Sequence, residues 1–440
     1  MGTVEPCPGR TDCAWPSAEP RDLSVRRLER FAERFLTSPL DETMTCMGTP
    51  ALGWASLTLV MALTLAACGE EGDPGPSAAD ALDAAVTADA LPSDALVADA
   101  RSADAGPPAA PVTMMGRFAV GLRIVSVDYL SPATGEMRTI PVNIWYPTTD
   151  ASGPQGVYAG VYGDDQVFMD ATPAPSVHAD GYPVHVHSHG DQGFGGTSAF
   201  LMRYFASHGW IAVAPDHVNN TLFDNVDPRP VAHYVHRPLD ITHSLNAVAT
   251  PEAFPSPVVT ARVLMSGHSY GCYTTWGIMG ATYDQARIDA RCAADGDEMP
   301  CPGAVREAFR QPLADPRVVA AIPMAGGYRK SWFGEAGYQT VRGPILFMSG
   351  SADDVGQADQ WEALTGIDYT WIDLEGACHQ SFALSICETL APSEGEALVN
   401  AYALAFGRHH ILADMEPQVL GLLDGTVTLS EVVSLQRRAP

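Results

Sequence analysis

The sequence is poor in positive charge. Only one of its 440 residues is a lysine, Lys330, and lysine and arginine together number 25 against 52 acidic residues, which gives a formal net charge of −27. Nucleic-acid binding and docking onto an anionic membrane both need clustered basic side chains, so the composition argues against both partners. Schiff-base chemistry would depend on the single lysine, which has no supporting motif around it.

The sequence also has little that could span a membrane. The uncharged apolar run 51–67 has the length of a signal-peptide core and is short for a transmembrane helix. It leads into Leu65-Ala66-Ala67-Cys68, which resembles the lipobox of bacterial lipoproteins, whose cysteine is lipidated and becomes the mature N-terminus. We therefore interpret 1–67 as a leader that contains a lipoprotein signal peptide. A signal peptide normally begins only a few residues before its apolar core, whereas 43 residues precede Met44 here. We therefore expect translation to start downstream of Met1.

Aromatic residues are absent from 69–111, where alanine, aspartate, proline and glycine dominate and one basic side chain faces nine acidic ones. Such a segment buries too little apolar surface to offset the entropy of ordering, and its like charges keep it extended. We interpret 68–111 as the lipidation cysteine followed by a disordered linker. The expected protein is an exported bacterial lipoprotein and a monomer, held to a membrane only by its lipid and facing the periplasm or the cell surface.

From residue 112 to residue 440 the sequence predicts one catalytic domain, in which short apolar runs alternate with helical patterns. This alternation is typical of an α/β fold with a mostly parallel sheet covered by helices on both faces, where ligands bind at the carboxyl ends of the strands. The segment 147–182 is predicted to be a loop. Strands are predicted at 117–128, 138–146, 183–188, 210–214, 262–266, 318–323, 344–349 and 369–374, and helices at 197–208, 239–249, 271–282, 357–365 and 393–412.

The motif Gly267-His268-Ser269-Tyr270-Gly271 lies between a predicted strand and a predicted helix. This is the context of a nucleophile elbow, the sharp turn that exposes a reactive serine at the edge of a sheet. The pattern alone also occurs by chance in structural turns, so the assignment depends on the flanking strand and helix. Ser269 is the candidate nucleophile.

A nucleophilic serine needs a base that is oriented by a carboxylate, and in this arrangement the acid and then the histidine follow the serine in the chain. Asp353 and His379 each follow a predicted strand, so we assign them as acid and base. Asp354 is the less favoured acid and is expected to face solvent or to cap the next helix. His409 and His410 also follow the acid, but they are expected on a helix.

Backbone N–H donors for the developing oxyanion are expected from two residues. One is Tyr270, which follows the nucleophile, and the other is Asp191, in the turn after the strand PVHVHS. The Asp191 carboxylate must then point away from the developing negative charge. Acyl transfer through a serine requires no cofactor.

Four strings, SHGDQGFGG, FASHGWIAVAPDH, GHSYG and LEGACH, resemble the α/β-hydrolases grouped with platelet-activating-factor acetylhydrolase and predicted dienelactone hydrolases, and more distantly the bacterial polyester hydrolases. The resemblance runs in order over roughly 117–412. It implies the α/β-hydrolase fold, an esterase with the triad Ser269, Asp353 and His379, and a small-molecule or lipid-like ester as substrate. The sequence departs from the family pattern at Asp191, where a small or apolar residue is usual.

Two other functions remain open at this stage. His185, His187 and His189 alternate along a strand, and HSHGD resembles the start of the metallo-β-lactamase metal motif, so a metal-dependent hydrolase is one alternative. A second ligand cluster is not evident, which favours buried core histidines instead. The other alternative is a non-catalytic cell-surface binding protein on the same fold, since a fold does not determine a function.

Cysteine usage agrees with export, because disulfides are permitted outside the cytoplasm. Beyond Cys68 the chain has five cysteines. A Cys378–Cys387 bridge would clamp the loop that carries His379, and a Cys292–Cys301 bridge would close a segment rich in Pro and Asp. Cys272 is expected to be a small buried apolar residue. Other pairings stay open, since connectivity does not follow from sequence.

Overall fold

The computed structural model describes residues 109–250, 254–293, 301–327 and 330–440. All of these lie in the second of two units into which the chain divides, Gly106–Pro440. Cys68 and the leader and linker assigned to 1–67 and 68–111 lie outside the described residues, apart from the last three positions of the linker. No helix among the described residues is both long enough and apolar enough to cross a membrane.

The described part of the chain is built on one mixed sheet of eleven strands. The strands are β1 (Ala119–Leu130), β2 (Met137–Thr148), β3 (Gln155–Tyr158), β4 (Tyr162–Met169), β5 (Tyr182–Ser188), β6 (Ile211–Pro215), β7 (Val258–His268), β8 (Val318–Met324), β9 (Ile345–Gly350), β10 (Tyr369–Leu374) and β11 (Val433–Arg438). Their order across the sheet is β11-β10-β9-β8-β7-β5-β6-β2-β1-β4-β3. Six neighbouring strands are mutually parallel, and their carboxyl ends therefore lie at the same end of the sheet. These strands are β10, β9, β8, β7, β5 and β6.

Helices cover both faces of this sheet. They are α1 (Ala199–Ser207), α2 (His233–Val248), α3 (Tyr270–Ile278), α4 (Gln285–Ala293), α5 (Gly303–Ala308), α6 (Lys330–Tyr338), α7 (Gln357–Ala363), α8 (Pro392–Leu412) and α9 (Pro417–Asp424). Apolar side chains of α1 and α8 pack in one core cluster, and those of α2 and α3 pack in the other. Neighbouring β7 residues divide between the two clusters, Leu264 in one and Met265 in the other, as strand alternation requires. The predicted α/β-hydrolase architecture is confirmed.

The structure differs from the sequence prediction in several elements. The expected loop 147–182 contains β3 and β4, and the prediction has no counterpart to β11. Helix α2 begins six residues before the predicted start and has Pro238 at its sixth position. Proline is favoured in the first turn of a helix and disfavoured further inside it, so the local sequence does not indicate a helix that continues through Pro238. The helices α4, α5, α6 and α9 were not predicted.

Candidate active site

Ser269 lies at the sharp turn between β7 and α3. Its backbone has φ 56° and ψ −115°, a region that side chains other than glycine seldom occupy. Both motif glycines stand where a side chain would collide with backbone: a Cβ on Gly267 would approach the Gly271 carbonyl oxygen to 2.3 Å, and a Cβ on Gly271 would approach the Ser188 carbonyl oxygen to 2.0 Å. The turn therefore has the geometry of a nucleophile elbow.

Asp353 and His379 lie beyond the carboxyl ends of β9 and β10 and are in direct contact. Nδ1 of His379 is 2.7 Å from Oδ2 of Asp353. The Asp353 side chain is 15% exposed and the His379 side chain 35%, so the pair reaches the surface at its histidine. Asp354, by contrast, is exposed, and its Oδ1 accepts the N–H of Gly356 just before α7. The structure thus joins to His379 the aspartate that the sequence analysis preferred.

The loop that carries His379 is hydrogen-bonded to the elbow and is closed by a disulfide within the loop. Nε2 of His268 lies 2.9 Å from the His379 carbonyl oxygen, and the two imidazole rings are 4.8 Å apart. Since a carbonyl oxygen only accepts, His268 donates this hydrogen bond. A disulfide joins Cys378, adjacent to the histidine, to Cys387. The residue next to Ser269 therefore fixes the backbone of His379.

The turn after β5 lies against the elbow. A Cβ on Gly190 would come within 3.2 Å of the Ser269 Cβ, which is closer than ordinary van der Waals contact. The carboxylate of Asp191 pairs with Arg229 at 2.7 Å and accepts a hydrogen bond from Asn220 at 2.6 Å. These two partners compensate the negative charge of a side chain that the sequence analysis expected to point away from the oxyanion.

The three alternating histidines are core residues in this structure. All are fully buried, and His185 and His187 both contact the hydroxyl of Ser266 at 2.8 Å. Burial lowers the pKa of His187 to about 3 and holds the pKa values of His185 and His189 well below the ordinary value, so the rings are neutral. The described residues contain no group of three or more His, Cys, Asp or Glu side chains arranged to hold a metal ion.

Both expected cysteine pairs are at disulfide distance. Cys292, in α4, is bonded to Cys301, just before α5, and Cys378 is bonded to Cys387. Cys272 is fully buried, and its thiol donates to the carbonyl oxygen of Met324 at 3.0 Å. This matches its expected role as a small buried residue.

Sequence reasoning missed a group of buried charged side chains beneath the turn after β5. Asp240 is fully buried and accepts hydrogen bonds from Arg138, Tyr129 and His217. Burial alone would raise the pKa of Asp240, but the Arg138 charge and hydrogen bonds outweigh it and hold that pKa below its usual range. Arg237 is also buried and reaches the turn itself. These residues come from separate segments, and no local motif marks them.

Comparison with known proteins places the fold but not the family. No family model matches the chain, and neither does any curated protein. Among solved structures, a ferulic acid esterase from Streptomyces cinnamoneus matches with a TM-score of 0.53 at 21% identity, covering 74% of this chain and 98% of the esterase. At this level of identity the match establishes a shared fold, which agrees with the strand order and the elbow described above.

Proposed function

We propose that this protein is a serine carboxylic-ester hydrolase that works through an acyl-enzyme. The observation that carries the proposal is the 2.7 Å contact between Asp353 and His379, on a loop that His268 ties to the strained turn at Ser269. A carboxylate, an imidazole and an elbow serine in this chain order are the parts that serine esterases use. The fold shared with a ferulic acid esterase agrees with this class of reaction, but the site residues and not the fold carry the proposal.

Each group has a defined step in the proposed reaction. The Asp353 carboxylate can only accept, so His379 carries its proton on Nδ1 and keeps the Nε2 lone pair for the Ser269 proton. The serine oxygen attacks the ester carbonyl, and the resulting oxyanion accepts from the backbone N–H groups of Tyr270 and Asp191. His379 then protonates the leaving alcohol. Water hydrolyses the acyl-enzyme by the same steps in reverse order, without a cofactor.

The narrower kinship with platelet-activating-factor acetylhydrolases and predicted dienelactone hydrolases is part of the proposal. Its support is the set of four sequence strings, of which GHSYG forms the elbow and SHGDQGFGG the turn beside it. The substrate class that follows is a small-molecule or lipid-like ester, cleaved by a monomer. Dienelactone hydrolases proper use a cysteine nucleophile, so Ser269 favours ordinary esters over dienelactones.

The test is hydrolysis of 4-nitrophenyl esters of rising acyl chain length by the purified domain, alone and after treatment with a metal chelator. We expect hydrolysis with one preferred chain length and no change on chelation. A chelator-induced loss that zinc restores would favour the metal-dependent alternative. Absence of hydrolysis across the panel would favour the non-catalytic alternative.

We propose further that Cys68 is lipidated and anchors the domain to a membrane, on the side that faces away from the cytoplasm. The support is the Leu65-Ala66-Ala67-Cys68 sequence and two disulfides in the described domain, which form and persist in oxidising compartments. In a bacterium that processes lipoproteins, the protein should incorporate a labelled fatty acid and sediment with membranes. Cys68→Ser should abolish both. Incorporation that persists in the Cys68→Ser variant would contradict the anchor.

A further inference from the structure

The proposed oxyanion hole depends on one peptide plane, that between Gly190 and Asp191. Its carbonyl oxygen accepts a hydrogen bond from Nδ1 of His189 at 2.7 Å and another from the N–H of Gly193 at 3.2 Å. In a trans peptide the C=O and N–H vectors are antiparallel, so whatever holds this carbonyl also aims the N–H of Asp191. The orientation of one proposed oxyanion donor is therefore set by His189.

The His189 ring can act in only one tautomer. Its Nε2 lies 2.9 Å from the backbone nitrogen of His217, which donates, so Nε2 must accept and the proton must be on Nδ1. The ring is fully buried, and burial keeps its pKa well below the ordinary histidine value. A neutral ring with Nδ1 protonated is the donor that the Gly190 carbonyl requires.

Arg237 makes hydrogen bonds to residues near the Gly190–Asp191 peptide. Its guanidinium donates to the carbonyl oxygen of His189, to the Ser188 hydroxyl at 3.2 Å and to the Asn220 side-chain oxygen at 2.6 Å. Asn220 in turn donates to the carboxylate of Asp191 at 2.6 Å. Arg237 thus contacts His189, which precedes Gly190 in the chain, and through Asn220 it is linked to the side chain of Asp191.

The same guanidinium also packs against the side chain of the residue that carries the second proposed donor. Its central carbon lies 4.4 Å from the ring centre of Tyr270, the residue whose backbone N–H is the other proposed donor. Burial lowers the pKa of Arg237 to about 10, which leaves it charged at neutral pH. Its hydrogen-bond acceptors are neutral oxygens, and burying a charge with such partners costs free energy, so its presence here indicates that the site uses the geometry it imposes.

We propose that Arg237 is a positioning residue of the oxyanion hole, which fixes the Asp191 and Tyr270 backbones relative to each other. The inference rests on the proposed function and adds a residue to it that touches neither substrate nor the reacting atoms. Its role is to hold the two donors at one separation, so that both reach the oxygen that becomes negative in the transition state.

The test compares Arg237→Met with the unmodified enzyme in two assays, hydrolysis of the preferred 4-nitrophenyl ester and inhibition by a trifluoromethyl ketone. Addition of the serine oxygen to the ketone carbon moves the serine proton to His379 and leaves an oxyanion that needs both donors. Because loss of one donor costs about 10²–10³ in kcat, we expect kcat to fall about 10- to 100-fold with KM changed less than about threefold. Affinity for the ketone should fall by a similar factor.

A matched control is Arg408→Met. Arg408 is another buried arginine that donates to a backbone carbonyl, that of Ala110 at 3.0 Å, and it lies in α8 outside the proposed site. This variant should lose thermal stability while keeping kcat and ketone affinity. Arg237→Lys, which retains the charge but not the planar fork, decides the question if Arg237→Met does not fold; its losses should fall in the same direction and be smaller.

Unchanged kcat and ketone affinity in a folded Arg237 variant would overturn the inference and leave the proposed function intact. A fall in kcat without weaker ketone binding would also overturn it, since the loss would then lie outside the oxyanion hole. If a fluorophosphonate fails to label the unmodified enzyme at Ser269, the proposed function fails, and this inference fails with it.

Discussion

Ser269 is held in a backbone conformation that costs on the order of 1–3 kcal/mol for a residue with a Cβ. The structure maintains it through packing on both sides, since the Ser269 N–H donates to the Met324 carbonyl at 2.9 Å and Gly271 abuts the end of β5. A strained backbone persists only where the surrounding contacts fix its conformation, and such strain is typical of turns at functional sites. The elbow and the Asp353–His379 pair are residue-scale features that the sequence analysis did locate, because each follows a strand.

The assignment of Asp353 rather than Asp354 as the triad acid can be tested directly by substitution. Asp353→Asn should lower kcat by about 10⁴, because an amide no longer selects the imidazole tautomer that accepts the serine proton. Asp354→Asn is the matched control, and since that side chain is exposed it should cost less than about tenfold. Steady-state kinetics on both variants checks the ranking. The reverse ranking would move the acid by one position.

The buried charged group around Arg237 and Asp240 could not be predicted from the sequence. Its members stand on β2, on the loop after β6 and on α2, and only the folded chain brings them together. A charge is expected to be buried only when it is paired, but a sequence does not show which partner is near. Likewise, alternation placed His185 and His187 on one strand face, but only the neighbouring strand supplies their partner, Ser266.

At the scale of elements, the parallel strands were predictable and the edges of the sheet were not. Central strands such as β6 and β9 are buried throughout and appear in the sequence as largely apolar runs. The strands β3 and β4 at one edge of the sheet and β11 at the other are partly exposed and contain charged and polar residues of the kind that also mark loops. Their pairing depends on the neighbouring strand, which is a tertiary effect that local sequence does not record.

The element that carries His379 yields a prediction about its disulfide. The Cys378–Cys387 bridge closes a short loop, worth about 2–3 kcal/mol in the chain-entropy model. We expect Cys378→Ser/Cys387→Ser to lower kcat/KM several-fold while far-UV circular dichroism stays unchanged at room temperature, because the loop loosens before the domain unfolds.

The control for that prediction is the second disulfide. Cys292→Ser/Cys301→Ser removes a bridge with the same sequence separation of nine residues that joins α4 to the segment before α5. It should lower the melting temperature and leave kcat/KM unchanged. Equal loss of activity in both double variants would show that the Cys378–Cys387 bridge has no special role at the active site.

At the scale of the whole molecule, the described domain buries many ionisable groups in their neutral form. Burial lowers the pKa of His187 and His233 to about 3 and that of His236 to about 4, all below the ordinary value of 6.5. Asp216 is an opposing case, since burial raises its pKa to about 6. Histidines that are buried in their neutral form tie the stability of the fold to pH.

The sign of that dependence follows from proton counts. Between about pH 4 and 6.5 the unfolded chain binds protons on these histidines that the folded chain does not, so the free energy of unfolding falls as pH falls through 6.5. Asp216 acts in the opposite sense between 3.8 and 6, but it is one group against three. Urea unfolding should show a stability that is lower at pH 6.5 than at pH 7.5 and lower again at pH 5.5. His187→Asn should reduce the slope by up to about 1.4 kcal/mol per pH unit. Equal stability at all three pH values would refute the neutral histidine core.

Covalent capture shows whether Ser269 is a nucleophile that His379 activates. The purified domain should be incubated with a fluorophosphonate and digested, and the peptides analysed by mass spectrometry, with Ser269→Ala and His379→Ala treated in parallel. We expect one phosphonyl group per chain, located on Ser269, no adduct in the Ser269→Ala protein, and much slower labelling in the His379→Ala protein. An unlabelled domain, or an adduct on another residue that persists in Ser269→Ala, would contradict this expectation.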